Sequence, residues 1–141
     1  MKRVLFVCVH NSGRSQMAEA FANRLGEGVM TAESAGTQPA VELNPTVVQA
    51  MEEIGYDMSA HDPKLMTEEM VHAADRVITM GCGVNLEEMA EGATCPAMFV
   101  PSEDWGIEDP KGKPVEVVRE IREKIRTQVE GLVKEMRDAG Q

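Results

Sequence analysis

The chain has 141 residues and a mass of 15.4 kDa, which suits one domain and leaves no room for two full cores. Hydrophobic residues make up 43% and charged residues 27%, so the composition favours neither a disordered chain nor a repeat protein. The 24 acidic and 14 basic residues give a net charge of −10. This charge repels nucleic acids and anionic membranes, so we expect neither as a partner, although local donors can still bind a small oxyanion.

The N-terminal segment does not match a targeting signal or a membrane span. After Met1-Lys2-Arg3 the apolar run extends only from Val4 to Val9, whereas a membrane span needs about 20 apolar residues and a signal peptide needs a cleavage site. We therefore expect a cytoplasmic protein whose three cysteines are thiols. Their odd number and the lack of a Cys-x-x-Cys pair favour neither a disulfide framework nor a zinc finger, so we expect no metal site.

The first half of the chain alternates strand and helix patterns. An unalternating apolar run predicts a buried first strand at Val4–Cys8, and the stripe from Met17 to Leu25 predicts the helix that follows it. A second buried strand is expected at Val29–Ala32. Asn44-Pro45 then supplies an N-cap and a first-turn proline, which predicts a second helix that ends at Gly55.

The second half continues this alternation. Thr67, followed by two acidic residues, is expected to cap a third helix, which leads into a third strand at Arg76–Met80. A short helix at Asn85–Ala90, a fourth strand at Ala97–Val100 and a long C-terminal helix over 118–136 complete the pattern. Because helices separate buried strands, we predict an α/β fold, namely a single-domain three-layer sandwich over residues 1–141 with a four-stranded parallel sheet.

The segment between the first strand and the first helix carries the strongest functional signal. In this setting successive backbone N–H groups turn toward one point, and the helix dipole adds positive potential there. Such a nest binds a tetrahedral oxyanion; Gly13 permits backbone angles closed to other residues, and the Arg14 fork can grip two oxygens. The predicted oxyanion-binding loop comprises Val9, His10, Asn11, Ser12, Gly13, Arg14 and Ser15.

Cys8 lies at the start of this loop. Arg14, the N–H groups and the helix N-terminus all favour the thiolate over the thiol, so we expect Cys8 to be a nucleophile. Ser15 can donate to its sulfur, and Asn11 can tie the loop together. The alternative is an inert cysteine that fills space at a strand end. The five residues between Cys8 and Arg14, in a strand–loop–helix context, favour the nucleophile.

This loop resembles the Cys-x5-Arg-Ser signature of the low-molecular-weight protein tyrosine phosphatase superfamily. The longer string from Cys8 to Glu19 is more similar to the arsenate reductase branch of that superfamily. A second match is Ser34-Ala35-Gly36-Thr37, which in the superfamily follows the second strand. The resemblance extends over nearly the whole chain. It implies a low-molecular-weight phosphatase-like fold, in which Ser34 supports the loop together with Asn11 and Ser15.

A general acid is expected after the fourth strand. Ligands of a doubly wound sheet bind beyond the carboxyl ends of its strands, which is where Asp109-Pro110 falls. The Trp-Gly-x-x-Asp-Pro pattern around it is similar to the general-acid loop of the arsenate reductases, and the resemblance assigns the acid role to Asp109. From the residues alone, Glu108 and Asp104 are competing candidates.

Cys82 and Cys95 are predicted to form a thiol relay with Cys8. Their Met-Gly-Cys-Gly and Cys-Pro contexts resemble the redox segment of thioredoxin-coupled arsenate reductases. The resemblance implies that Cys82 attacks the adduct on Cys8 and that Cys95 then attacks the resulting disulfide. Twelve residues separate Cys82 from Cys95, more than we expect of that family. The alternatives are two space-filling cysteines, or a metal site that includes His10, for which the spacing is unsuitable.

Three functions follow from this pattern. The resemblance implies an arsenate reductase without a cofactor: Cys8 attacks arsenic, Asp109 protonates the departing oxygen, and thioredoxin or a similar dithiol protein reduces the final Cys82–Cys95 disulfide. The second is a low-molecular-weight phosphatase for phosphotyrosine or a small phosphoester. Against it, Lys111-Gly112 follow the Asp-Pro pair where that branch carries tyrosines, and the chain has one tyrosine. The third is a non-catalytic oxyanion-binding or redox-sensing module.

Overall fold

A computed structural model of the chain describes residues 2–80 and 103–139. These ranges contain four strands and four helices. In chain order they are β1 (Lys2–Cys8), α1 (Arg14–Leu25), β2 (Met30–Gly36), α2 (Pro45–Glu52), α3 (Glu68–Ala73), β3 (Arg76–Thr79), β4 (Glu103–Asp104) and α4 (Val115–Ala139).

The strands form one parallel sheet in the order β2-β1-β3-β4. Strand β1 is central, and its last residue, Cys8, pairs with Gly36 at the end of β2. Within the described residues the fourth strand comprises Glu103–Asp104. The predicted strand Ala97–Val100 and the predicted helix Asn85–Ala90 lie outside the described residues. The α/β class and the parallel sheet are confirmed.

Alternate residues of β1 face two separate apolar clusters, which gives the molecule three layers. Val4, Phe6 and Cys8 belong to the larger cluster, together with the buried faces of α1, α2 and α4. Leu5 and Val7 belong to the smaller one, with Val71 of α3. Because both faces are covered, β1 is buried from Val4 to Cys8, as its unalternating apolar pattern predicts.

The predicted helix caps are present. The Asn44 side chain accepts from the N–H of Thr46 at 2.9 Å, and Thr67 Oγ1 accepts from the N–H of Met70 at 3.1 Å. Helix α4 runs for 25 residues and buries one apolar stripe against α1 and α2. Within the described ranges, the helices are all too short or too polar to span a bilayer.

Strand β2 differs from its prediction. It continues from Met30 to Gly36, whereas the sequence predicted Val29–Ala32. Thr31 and Glu33 are exposed while Ala32 and Ser34 are buried, so the strand alternates. An edge strand with one solvated side shows this alternation, and a search for unbroken apolar runs ends too early at Glu33.

Candidate active site

The sulfur of Cys8 lies at the bottom of the loop that connects β1 to α1. The side chain is 5% exposed. Two donors reach Sγ: the backbone N–H of Asn11 at 3.2 Å and the hydroxyl of Ser15 at 2.9 Å. Hydrogen bonds to sulfur favour its charged form, so this environment supports a thiolate.

Asn11 holds the loop in shape. Its backbone φ is +50°, a left-handed value that Asn adopts more readily than most residues with a side chain. Its Oδ1 accepts from the N–H of Lys64 at 2.8 Å and from Gln16 Nε2 at 3.1 Å, while its Nδ2 donates to Ser15 Oγ at 2.7 Å. Because Ser15 Oγ already accepts this bond, its own hydrogen is free to point toward the Cys8 sulfur.

The loop carbonyls point outward and its amides point inward. Backbone N–H groups of the segment after β2 donate to three loop carbonyls at 2.8, 2.9 and 2.9 Å, in the pairs Gln38–Val9, Ala40–His10 and Asn44–Ser12. In a trans peptide the C=O of one residue and the N–H of the next point in opposite directions. The N–H groups of His10, Asn11 and Gly13 therefore face the inside of the loop. This cradle of donors suits a tetrahedral oxyanion.

Arg14 begins α1 and joins three parts of the site. Its guanidinium is buried, at 7% exposure. Nη1 donates to the carbonyl oxygens of Met80 at 2.6 Å and Ile107 at 3.0 Å, and Nη2 lies 4.0 Å from Asp109 Oδ2. The cation is thus fixed between the end of β3, the segment after β4 and a carboxylate. A guanidinium held in this way suits an oxyanion, because its charge and planar N–H groups match oxyanion oxygens.

Asp109 lies at the rim of the site, with its side chain 45% exposed. Its Oδ1 accepts from the N–H of Lys111 at 3.0 Å, which orients the carboxyl group. Of the competing acids, Glu108 forms an ion pair with Lys113 Nζ at 3.5 Å, and the side chain of Asp104 is outside what the structure describes. Among the side chains that the structure describes, Asp109 is the acid beside the Arg14 guanidinium, and its exposure lets it exchange protons with water.

Glu19 is a buried carboxylate directly behind the loop. His61 Nδ1 lies 3.0 Å from Oε2, Lys64 Nζ 3.6 Å from Oε1, and Ser34 Oγ donates to Oε1 at 3.3 Å. Burial acts to raise the pKa of Glu19, but the hydrogen bond from His61 and the charge of Lys64 outweigh it, so the net pKa is lowered. Ser34, predicted to support the loop, bonds to this carboxylate of α1.

The sequence interpretation gave no role to Gln16, Glu19, His61 or Lys64. A usable signal was present for two of them. Gln16 and Glu19 lie on the buried face of α1, at 0% and 7% exposure, where an amphipathic helix places apolar residues. Polar side chains at such positions need partners, and here they find them in the segment after α2. Nothing in the local sequence of His61 or Lys64 shows that they would meet α1.

His10, Cys82 and Cys95 were also predicted to belong to the site or its loop. His10 is half-buried, and its Nδ1 lies 3.3 Å from the carbonyl oxygen of Gln38. Cys82 and Cys95 lie outside the described residues, and Met80, whose carbonyl binds Arg14, is the last described residue before Cys82. In residues 2–80 and 103–139, His, Cys, Asp and Glu side chains form no cluster of three that could hold a metal ion.

Comparison with known proteins gives consistent matches over nearly the whole chain. The model of a family described as low molecular weight phosphotyrosine protein phosphatase matches residues 3–141. The chain is 39% identical over 137 residues to the glutaredoxin arsenate reductase of Synechocystis sp., a match that covers 94% of this chain and 97% of that protein.

Solved structures match equally well. A structure described as an arsenate reductase in the phosphate binding state has a TM-score of 0.79 and 38% identity, covering 96% of this chain and 99% of the other. The thioredoxin-dependent arsenate reductase of Corynebacterium glutamicum has a TM-score of 0.76 and 34% identity, covering 99% of this chain and 63% of the other.

Proposed function

Because the chain belongs to the low molecular weight phosphotyrosine protein phosphatase family, we propose that it reduces arsenate to arsenite at the Cys8 loop, with a protein dithiol as the reductant. The observation that carries this proposal is the match over nearly the whole chain to proteins named arsenate reductases. The site supports it, because a nucleophilic sulfur, a cradle of N–H donors, a buried guanidinium and a carboxylic acid meet at one edge of the sheet.

The first step is a displacement at arsenic. Arsenate has the shape and charge of phosphate, so the inward N–H groups and Arg14 would hold its oxygens. The Cys8 thiolate attacks arsenic and forms an S–As bond while one As–O bond breaks. Asp109 donates its proton to the departing oxygen, which leaves as water. The Arg14 guanidinium, 4.0 Å away, and the hydrogen bond from the Lys111 N–H hold the carboxyl group at this position.

The second step supplies the two electrons. The Cys82 thiolate attacks the Cys8 sulfur, the electron pair of the S–As bond goes to arsenic, and arsenite leaves. The Cys8–Cys82 disulfide is then attacked by Cys95, which frees Cys8 and leaves a Cys82–Cys95 disulfide. A dithiol protein of the thioredoxin or glutaredoxin type reduces that disulfide and closes the cycle. Such a relay needs thiols that are kept reduced, which fits the cytoplasmic location expected from the sequence.

The second candidate function is hydrolysis of a phosphoester, which the description of the family favours. The aromatic residues of the described ranges argue against a phosphotyrosine substrate. Tyr56, the single tyrosine, packs against Phe21 with ring centroids 5.0 Å apart and lies under the Arg24 guanidinium, on the core side of α1. Trp105 packs on Phe6 in the core cluster. No tyrosine is therefore available to build a wall for a phenyl ring.

Cysteine-to-serine variants separate the two functions. We expect Cys8→Ser to abolish both arsenite formation and hydrolysis of an aryl phosphate, because both need the sulfur nucleophile. We expect Cys82→Ser to abolish only arsenate turnover, because hydrolysis uses water in the second step. Cys95→Ser serves as the matched control for the last step and should give one equivalent of arsenite without further turnover. Arsenite would be quantified in assays driven by thioredoxin and by glutaredoxin.

Two results would contradict the proposal. One is a Cys82→Ser protein that turns over arsenate at the wild-type rate with either reductant. The other is a wild-type protein that hydrolyses the aryl phosphate efficiently and releases no arsenite with either reductant.

A further inference from the structure

His10 is the histidine of the oxyanion-binding loop, and it is held by the segment that follows β2. Backbone N–H groups of that segment donate on both sides of it: Gln38 to the Val9 oxygen at 2.8 Å and Ala40 to the His10 oxygen at 2.9 Å. The ring contacts the same segment, because His10 Nδ1 lies 3.3 Å from the carbonyl oxygen of Gln38. These contacts fix the half-buried imidazole beside the loop.

The contact with Gln38 determines which ring nitrogen of His10 can take up a second proton. A carbonyl oxygen is an acceptor, so Nδ1 carries the hydrogen that it donates to the Gln38 oxygen. The neutral ring therefore has its lone pair on Nε2. A proton added at Nε2 gives the imidazolium without breaking the bond to Gln38, so the change of charge needs no change in the contacts that hold the loop.

The ring of His10 is close enough to the cradle for its charge to act on a bound anion. The His10 N–H faces the inside of the loop, because the Val9 carbonyl of the same peptide group is turned outward to Gln38. Only Cα and Cβ separate this nitrogen from the ring. The charge of an imidazolium therefore lies within roughly 8 Å, the Debye length at physiological ionic strength, of an oxyanion bound to that N–H.

The charged groups of the surrounding elements do not neutralise His10. Arg14 of α1 lies 4.0 Å from Asp109, and Lys64, before α3, lies 3.6 Å from Glu19. Among the side chains that the structure describes, none forms an ion pair with His10. A bound oxyanion would therefore supply its counter-charge. The other charged or titratable side chains on the segments around the loop are exposed or paired elsewhere: Glu42, His61, Asp62, Glu108 and Lys111.

We propose that His10 is a specificity residue for the charge of the substrate: its protonated ring strengthens the binding of a dianionic tetrahedral oxyanion in the Cys8 loop. The inference rests on the proposed function, in which arsenate is such an oxyanion and this loop is its binding site. Because the interaction of two charges scales with their product, the gain is larger for a dianion than for a monoanion. Affinity for a dianion is highest where His10 is protonated, and it falls as pH rises and the ring loses its charge.

The test measures the dissociation constant of sulfate between about pH 5.5 and about pH 8, the range in which histidine changes its charge. The protein carries Cys8→Ser, which removes a thiolate that would repel the anion and would itself titrate. Sulfate is a tetrahedral dianion throughout this range, whereas arsenate and phosphate change their own charge within it. Binding is followed through the NMR shifts of the loop amides.

In this Cys8→Ser parent we expect the sulfate dissociation constant to rise about three- to tenfold from the acidic to the alkaline end of the range. His10→Gln keeps an N–H for the Gln38 oxygen but carries no charge, so it should bind sulfate weakly at every pH. His10→Lys is charged throughout and should bind sulfate tightly at every pH. His72→Gln, at an exposed histidine of α3, is the matched control and should keep the parent's profile.

Three results would overturn the inference. One is a parent protein whose sulfate affinity does not change with pH, and another is a His10→Gln protein that keeps the parent's pH profile, because a different group would then carry the charge. The third is an equal loss of affinity in His10→Gln and His10→Lys at both ends of the range, because His10 would then act only through its shape.

The sulfate measurement separates this inference from the proposed function, since no arsenate is reduced in it. A wild-type protein that releases arsenite while its Cys8→Ser form binds sulfate equally at every pH would refute the inference alone. A protein with the expected sulfate profiles that releases no arsenite with either reductant would refute only the proposed reduction.

Discussion

Ser15 is the side chain whose hydroxyl touches the nucleophile. Its Oγ lies 2.9 Å from Cys8 Sγ and accepts from Asn11 Nδ2 at 2.7 Å, so its hydrogen is directed to the sulfur. Ser15→Ala removes this donor and leaves Asn11 Nδ2 without its acceptor. Because a hydrogen bond to a charged group is among the stronger ones, we expect Cys8 alkylation at neutral pH to slow by about tenfold or more.

The loss of Cys8 reactivity should be specific to the serine at position 15. Ser59→Ala, at an exposed serine between α2 and α3, provides a control that should leave the alkylation rate unchanged. The free energy of unfolding of both variants would be measured in urea, so that a folding defect is not mistaken for a loss of reactivity. A Ser15→Ala protein with wild-type alkylation at all pH values would show that the backbone N–H groups alone are sufficient to stabilise the thiolate.

At the scale of elements, Gly13 lets the start of α1 contact the segment that carries Asp109. A Cβ at this position would lie 2.9 Å from Pro110 Cγ and 3.3 Å from Val47 Cγ2. Gly13→Ala must therefore push the 108–110 segment away from Arg14. Since small displacements of a catalytic group are costly, we expect the turnover number for arsenate to fall on the order of 10- to 100-fold.

Comparing the rate of Cys8 alkylation with the rate of arsenate turnover in Gly13→Ala tests whether displacement of Asp109 causes the loss. In Gly13→Ala the Cys8 sulfur keeps its contacts with Asn11 and Ser15, so its alkylation should fall much less than arsenate turnover does. Gly131→Ala is the matched control, because a Cβ there meets no atom within 4 Å. Equal losses in the two rates would mean that the substitution distorts the loop itself and does not mainly displace the acid.

How far the sequence predicts these elements depends on the kind of signal each one gives. Strand β1, the loop and α1 are predictable because an apolar run, a Cys-x5-Arg pattern and a helical stripe follow one another. The caps at Asn44 and Thr67 are predictable because their chemistry is local. The contacts of Glu19 with His61 and Lys64 could not be predicted, since they join residues more than 40 positions apart whose proximity only the fold creates.

Over the whole molecule, the net charge and the individual carboxylates predict different effects of pH on stability. The net charge of −10 disappears near the pI of about 4.7, which relieves repulsion within the folded chain. The pKa of Glu19, however, is lowered, because the hydrogen bond from His61 and the charge of Lys64 outweigh the effect of burial. The pKa of Glu53 is lowered as well, mainly by its hydrogen bond from Arg119. A carboxylate with a lowered pKa in the folded state stabilises that state above its unfolded pKa, and this contribution is lost as pH falls through the folded pKa.

We therefore expect the free energy of unfolding to decrease as pH falls below about 4.5, the ordinary value for Glu, instead of reaching its maximum at the pI. Urea unfolding across this range would test the prediction, with Glu19→Gln as the informative variant. Above pH 4.5 the variant should be less stable than the wild type, because Lys64 and His61 lose their charged partner. Below it the two curves should converge, because Glu19 becomes neutral in the wild type as well. Glu42→Gln, at an exposed site, is the control and should follow the wild-type curve throughout. If the loss of stability in Glu19→Gln persists or grows in acid, Glu19 stabilises the fold through its shape and not through its charge.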